Sequence, residues 1–163
     1  MIMLLQIILY LVLYTGMVAF AVKDGAIGGL YFYPKPVQER AYAIGIADRE
    51  DVHRKKVRFM TSFMLMLLAV LLMIIGLWNR VNDFKTAYLQ ALLFLEVSNW
   101  YDGIVIDRLW VGHSKFWIIA GTEGIPFVKP WKEILLKRTL ASLVWIVGAA
   151  VVGLLAVLFA MIF

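Results

Sequence analysis

Apolar residues form three long runs along the chain, and polar residues concentrate in the segments between them. The runs cover residues 2–22, 59–78 and 139–163, each close to or above the roughly 20 residues that a helix needs to cross a bilayer. Residues 86–106 form a fourth run of similar length that includes polar side chains. The pattern predicts an all-α integral membrane protein, a four-helix bundle built as one domain of residues 1–163.

The polar segments between the runs contain helix signals of their own. Pro36 can start a short helix that Gly45 ends, and Asp48 is placed to cap a helix that runs into the second span. Pro130 can start a helix leading into the last span, and residues 115–120 fit a short strand or an interfacial segment. The sequence therefore predicts interfacial helices within the loops.

Lys and Arg are distributed unequally among the connections. Residues 23–58 contain eight and residues 108–138 contain six, whereas the connection between the second and third spans contains only Arg80 and Lys85. Cytoplasmic loops carry the excess of basic residues in membrane proteins. We expect both long loops to face the cytoplasm and both termini to lie outside the cell.

Composition supports the same class. Hydrophobic residues make up 63% of the chain, against about 45–50% in soluble domains. The net charge of +5 belongs to loops beside membrane helices, so it does not predict a nucleic-acid partner. No cysteine and only two histidines are present, which excludes disulfides, thiolate metal sites and a multi-histidine centre within one chain. No cofactor is evident from a motif.

A basic cluster precedes the second span. It consists of Arg54, Lys55, Lys56 and Arg58. Such clusters beside a membrane helix bind anionic lipid headgroups, and an acidic partner or a phosphoinositide is the alternative.

The third span carries the polar residues Glu96, Asn99, Asp102 and Asp107, here called the polar ladder. At 100° per residue, three of them and Gly103 share an arc of roughly 80°, while Asp102 lies about 120° from Glu96. Glu96 falls near the bilayer midplane, where an ionised acid is costly. It is a proton or cation site, an anchor for a polar substrate, or a neutral acid bonded across helices.

Asp102 and Asp107 lie toward the cytoplasmic end of that span. Arg108, His113 and Lys115 follow closely, so an ion pair that only fixes the loop is one interpretation. In the other, the two carboxylates bind a divalent cation such as Mg²⁺ with His113, or act as general acid and base.

Small residues mark the last span. Gly148, Ala149 and Gly153 include a small-xxx-small pair that permits close helix approach. This pattern favours a homodimer through the last span, or contact with a larger membrane partner.

The segment from Asn99 to Trp110 reads Asn-x-aromatic-Asp with a second Asp five residues on, and a Gly-Thr-Glu-Gly turn begins at Gly121. This pattern resembles a family of uncharacterised small bacterial, Firmicute-like polytopic membrane proteins. Residues 33–40 also look like their counterparts in that family, whereas Ala120 stands where the family has Pro. The resemblance implies a bacterial membrane and adds Glu123 to the candidate site, without implying an activity.

Three functions fit these observations. The leading hypothesis is a non-enzymatic transport or channel-like component that binds a cation, proton or small polar ligand through the polar ladder. The second is a membrane-embedded enzyme that acts on a lipid or isoprenoid at the cytoplasmic interface. In the third, an assembly or regulatory subunit, the ladder only locks helices together.

Overall fold

The computed structural model describes residues 2–162, and the regular structure within that range is helical throughout. In chain order the α-helices are α1 (Ile2–Ala21), α2 (Lys35–Ala43), α3 (Arg49–Leu72), α4 (Phe84–Tyr101), α5 (Val111–His113) and α6 (Trp131–Ile162). Two 3-10 segments, Ala26–Phe32 and Lys115–Trp117, lie in the loops. The strand considered for residues 115–120 is therefore wrong, because this stretch forms a single 3-10 turn followed by extended chain.

Two of the long helices change their winding near one end. Met73–Trp78 continue α3 as a π-helix, and Asp102–Trp110 continue α4 as a π-helix that leads into α5. A π-helix pairs each residue with the fifth along the chain, and such segments are rare and frequently occur at functional sites. The two continuous helices therefore cover residues 49–78 and 84–113.

Three helices are long and apolar enough to cross a membrane, namely Ile2–Ala21, Arg49–Trp78 and Trp131–Ile162. They correspond to the first, second and last spans expected from the sequence. Helix α4 does not reach the same hydropathy, because its polar side chains offset its leucines. The described chain is thus all-helical with three candidate membrane-spanning helices.

The helix starts follow the predicted caps. The Asp48 carboxylate accepts a hydrogen bond from the Asp51 backbone N–H at 2.9 Å, so α3 begins at Arg49 and continues into the apolar run that starts at residue 59, as the cap predicted. The basic cluster of Arg54, Lys55, Lys56 and Arg58 accordingly lies on the first turns of α3 and is exposed to solvent. Lys55 pairs with Asp51 at 2.7 Å. The short helix expected after Pro36 is confirmed as α2.

Helix α4 lies at the centre of the membrane part and packs most extensively along α6. Ala149 is fully buried, and a Cβ at Gly153 would lie 2.9 Å from the backbone nitrogen of Tyr88. The close helix approach expected from these small residues therefore occurs between α6 and α4 of one chain. A homodimer through the last span stays a prediction, and it would need residues other than this pair.

The two ends of the bundle differ. The short connection of residues 79–83 forms what we call the turn end. The opposite, loop end holds residues 22–48 and 114–130, which build a second hydrophobic core below the membrane part. The Tyr33 hydroxyl donates to the Trp117 carbonyl oxygen at 2.7 Å, so the first long loop is bonded to the second.

Candidate functional site

Arg138 is the centre of an ionic cluster at the loop end. Its side chain is 7% exposed, and its guanidinium contacts the carboxylates of both Asp102 and Asp107, the latter at 2.9 Å. Lys129 approaches Asp107 at 3.3 Å from the second loop. Two ladder residues therefore share one buried arginine that α6 supplies.

The π-helix explains how both aspartates reach the same arginine. Five residues separate Asp102 from Asp107, which in an α-helix places them about 140° apart. Hydrogen bonding to the fifth residue reduces the turn per residue, so residues five apart come closer together around the helix axis. The winding of Asp102–Trp110 thus brings both carboxylates to the same arginine. The 120° offset expected between Asp102 and Glu96 concerns the α-helical part of α4, which runs to Tyr101, and it stays a prediction.

Gly103 provides the space that Arg138 occupies. A Cβ at this position would lie 2.9 Å from the arginine Nε and 3.0 Å from its Cγ. The Arg138 side chain therefore crosses from α6 to α4 over Gly103, where no side chain blocks it.

Glu96 and Asn99 join the same helix pair through hydrogen bonds. Asn99 Nδ2 donates to the Arg138 carbonyl oxygen at 3.0 Å and to Ser142 Oγ at 3.2 Å. Ser142 Oγ in turn donates to Glu96 Oε2 at 2.6 Å. Each ladder residue therefore has a partner on α6, and Ser142 and Arg138 are the members that the sequence did not single out.

The remaining predicted residues make other contacts. Glu123 is exposed and accepts a hydrogen bond from the Gly121 backbone N–H at 2.8 Å, so it stabilises the turn in which it lies. His113 Nδ1 lies 3.1 Å from the Leu109 carbonyl oxygen, and the Arg108 guanidinium lies over the ring of Trp131. The loop partners expected for Asp107 are replaced by Arg138 and Lys129.

Metal ligation was one of the expectations for Asp102 and Asp107. Within residues 2–162, no group of three or more His, Asp or Glu side chains is arranged to hold a metal ion. The charge that faces the two carboxylates is the guanidinium of Arg138. A divalent cation at this place stays a prediction.

An apolar groove of about 570 Å³ runs along α6 and is walled by α1, α3 and α4. Tyr10, Tyr14 and Trp145 contribute aromatic surface, and most of the other lining residues are aliphatic. At the loop end the lining becomes polar, with Ser98, Asn99, Lys137 and Arg138. We call this feature the apolar groove.

A chamber of about 30 Å³ lies on the other side of the ionic cluster. Asp107, Lys129, Tyr33 and Trp117 line it together with Phe32, Val111 and Phe127. The indole Nε1 of Trp117 is buried without a hydrogen-bond partner among the described residues. Burial raises the pKa of Tyr33, so its hydroxyl stays protonated. It donates a hydrogen bond to the Trp117 carbonyl oxygen in the second loop. Asp107 lines this loop-end chamber, and its ion-pair partner Arg138 lines the groove.

Comparison with protein-family models, with curated proteins and with solved structures gave no match to this chain. The resemblance to the Firmicute-like membrane proteins therefore stays a prediction. The site is accordingly interpreted from its own geometry.

Proposed function

We propose that the chain is a four-span protein of the bacterial cytoplasmic membrane that binds a lipid-like amphiphile in the apolar groove. The observation that carries this proposal is the groove itself, a largely apolar cleft of about 570 Å³ whose charged and amide groups lie at one end. Ligand sites typically enclose about 300–1,000 Å³ and combine apolar walls with a few placed polar groups.

The continuous helix that contains α4 is long enough to be the fourth span of this proposal. The continuous helix of residues 84–113 is about 45 Å long at 1.5 Å per residue, which exceeds the hydrocarbon core of about 30 Å. Its ladder residues bond to α6 instead of facing lipid. With the basic residues concentrated at the loop end, that end faces the cytoplasm.

The surroundings of the groove favour an amphiphile as its occupant. Met64 and Leu65 line the groove and are 50% and 62% exposed, so the cleft opens to the lipid phase along α3. A hydrocarbon chain can enter from the bilayer and keep its polar head near Lys137 at the loop end. Trp145 lies in the wall and provides an internal reporter for such a chain.

In this proposal the polar ladder holds α4 against α6 and forms the closed end of the groove. Asp102 and Asp107 are neutralised by Arg138 and Lys129, and Ser142 donates to Glu96. Breaking such a buried pair leaves an uncompensated charge. The ladder therefore positions Arg138 beside the ligand site.

Quenching of tryptophan fluorescence tests the proposal. A variant that keeps Trp145 as its only tryptophan is titrated in detergent with an amphiphile brominated on its chain, and saturable quenching is expected. Ala141→Phe, which fills the groove, should abolish quenching, whereas Ala150→Phe, outside the lining, should retain it. Equal, non-saturable quenching in all three proteins contradicts a groove ligand.

A second candidate function is favoured by the loop-end chamber. Asp107 borders a space large enough for one or two waters, which need about 10–15 Å³ each, so this carboxylate is placed to exchange a proton or bind a small cation. In proteoliposomes, Asp107→Asn and Glu96→Gln should each abolish a proton or cation flux, with Glu123→Gln as the unaffected control. This candidate is excluded if the parent protein shows no flux, or if the parent and all variants show the same flux.

A further inference from the structure

One cation beside the apolar groove has no carboxylate partner among the described residues. Of the basic side chains there, Lys129, Lys137 and Arg138, two pair with Asp102 and Asp107. Arg138 and Lys129 are paired with the aspartates. Within residues 2–162, Lys137 makes no ion pair. Lys137 is therefore available to an anion that the protein does not supply.

Lys137 also stands where a ligand headgroup would lie. It lines the polar end of the groove next to Ser98 and Asn99, and the groove is apolar from there to Leu155. A cation at one end of an apolar cleft is complementary to an amphiphile with an anionic head. An ammonium is a compact point charge that binds phosphate well.

The length of the groove constrains the tail. Lys137 and Leu155 are eighteen residues apart on α6, or about 27 Å at 1.5 Å per residue. This approaches the whole hydrocarbon core of about 30 Å, whereas an ordinary acyl chain crosses about half of it. The groove therefore accommodates a chain longer than one leaflet.

We infer that the ligand is an anionic lipid with a phosphate-type headgroup held by Lys137 and a tail longer than one leaflet, the chemistry of a polyprenyl phosphate. This inference rests on the proposed function, since it names the ligand class of the same groove. The bulk phospholipid around α6 is the competing source of phosphate at Lys137.

Binding of a long-chain polyprenyl monophosphate to the purified full chain in detergent tests the inference. The fluorescence of Trp145 or native mass spectrometry reports binding. Lys137→Gln should raise the Kd by about tenfold or more, because a hydrogen-bonded ion pair is lost. Lys132→Gln removes an exposed lysine of the same helix that does not line the groove, and it should leave the Kd unchanged.

Three comparison ligands test whether binding needs both the phosphate headgroup and the long tail. The uncharged polyprenol, a short-chain alkyl phosphate and inorganic phosphate should each bind at least about tenfold more weakly than the polyprenyl phosphate. An equal Kd for the polyprenol, an equal effect of Lys132→Gln, or full competition by phosphatidylglycerol overturns the inference.

The failures of the two proposals are distinguishable. If brominated chains still quench Trp145 saturably while Lys137→Gln has no effect, the groove binds an amphiphile but not through an anionic head. If quenching is absent as well, the proposed function itself fails.

Discussion

The two ends of the bundle are both closed by polar side chains, but of opposite kinds. At the turn end, Gln6, Asn79 and Gln90 form an uncharged amide cluster, in which Asn79 exchanges hydrogen bonds of 2.7 and 3.2 Å with Gln6 and donates to Gln90 at 2.8 Å. At the loop end, the cluster around Arg138 is ionic. The same helices are thus joined by amides at one end and by charges at the other.

The difference assigns the two ends different roles. The amide cluster is neutral and satisfied by its own members, so it can only hold helices together. The ionic cluster borders both the apolar groove and the loop-end chamber, and Lys137, which makes no ion pair within residues 2–162, also lines that groove. Binding is therefore expected at the loop end.

The winding of the chain is similar at both ends. The Asn79 backbone N–H donates to the Ile74 carbonyl oxygen at 2.8 Å, a bond to the fifth residue that ends the π-helix of Met73–Trp78. The second π-helix, Asp102–Trp110, presents the aspartates to Arg138. In each case the altered winding turns polar side chains inward at a helix end.

The largest effect should follow from breaking the ionic cluster. Arg138→Met removes the buried member of both ion pairs and leaves two partly buried carboxylates with only Lys129 near Asp107, so we expect the free energy of unfolding to fall by about 3–5 kcal/mol. Reversible unfolding in mixed micelles measures it. Arg108→Met, which removes an arginine stacked on Trp131, should cost less than about 1 kcal/mol. Comparable losses in the two variants would show that Arg138 has no special role.

Removing the shared member of the amide cluster should have a smaller effect. Asn79→Ala leaves the buried Gln6 and part of Gln90 without partners, which is expected to cost about 1–3 kcal/mol. Since no charge is involved, the loss should be the same at low and high salt. Asn82→Ala, an exposed change in the same turn, serves as the control. A salt-dependent loss would contradict a purely neutral cluster.

A methyl group beside Arg138 should disturb the ionic cluster less than the loss of the arginine. Gly103→Ala puts a Cβ 2.9 Å from the arginine Nε, and we expect a loss of about 1–2 kcal/mol from overpacking. Gly112→Ala meets only Val128 at 3.5 Å, so it should be neutral or slightly stabilising. Thermal unfolding in detergent compares them. Identical midpoints would mean that Arg138 moves aside without cost.

The smallest effect should come from an exposed cap at the turn end. The backbone N–H of Thr86 donates to the Asp83 carboxylate at 2.9 Å and holds the pKa of Asp83 below its ordinary value. A carboxyl with a lowered pKa stabilises the folded state above its unfolded pKa, and this contribution disappears as the pH falls through the folded pKa. Relative to the intrinsic rate of an unprotected amide at each pH, hydrogen exchange at Thr86 and Ala87 should therefore accelerate below about pH 4.

Asp83→Asn provides the matched variant for this cap. Asparagine caps a helix about as well as aspartate but does not titrate in this range. The acid-side acceleration should therefore disappear in the variant. If both proteins show the same pH profile, the acceleration has another source.

The sequence predicted most of the helices, because their signals are local. The apolar runs of the first, second and last spans, the cap at Asp48 and the helix start after Pro36 each depend on neighbouring residues only. The ladder residues were also visible, since polar groups in an apolar run are conspicuous. Arg138 was not singled out, because a basic residue just before an apolar run is indistinguishable in sequence from an ordinary loop residue.

The sequence by itself determined that the chain is helical, with three helices long and apolar enough to cross a membrane, because these properties depend on composition and length. Only the tertiary structure decided which face of the third run each aspartate occupies. An α-helical wheel separates Asp102 from Asp107, and the π-helix reunites them on Arg138. Arg138 lies on α6, more than thirty residues away in sequence, and such a long-range ion pair leaves no local signal.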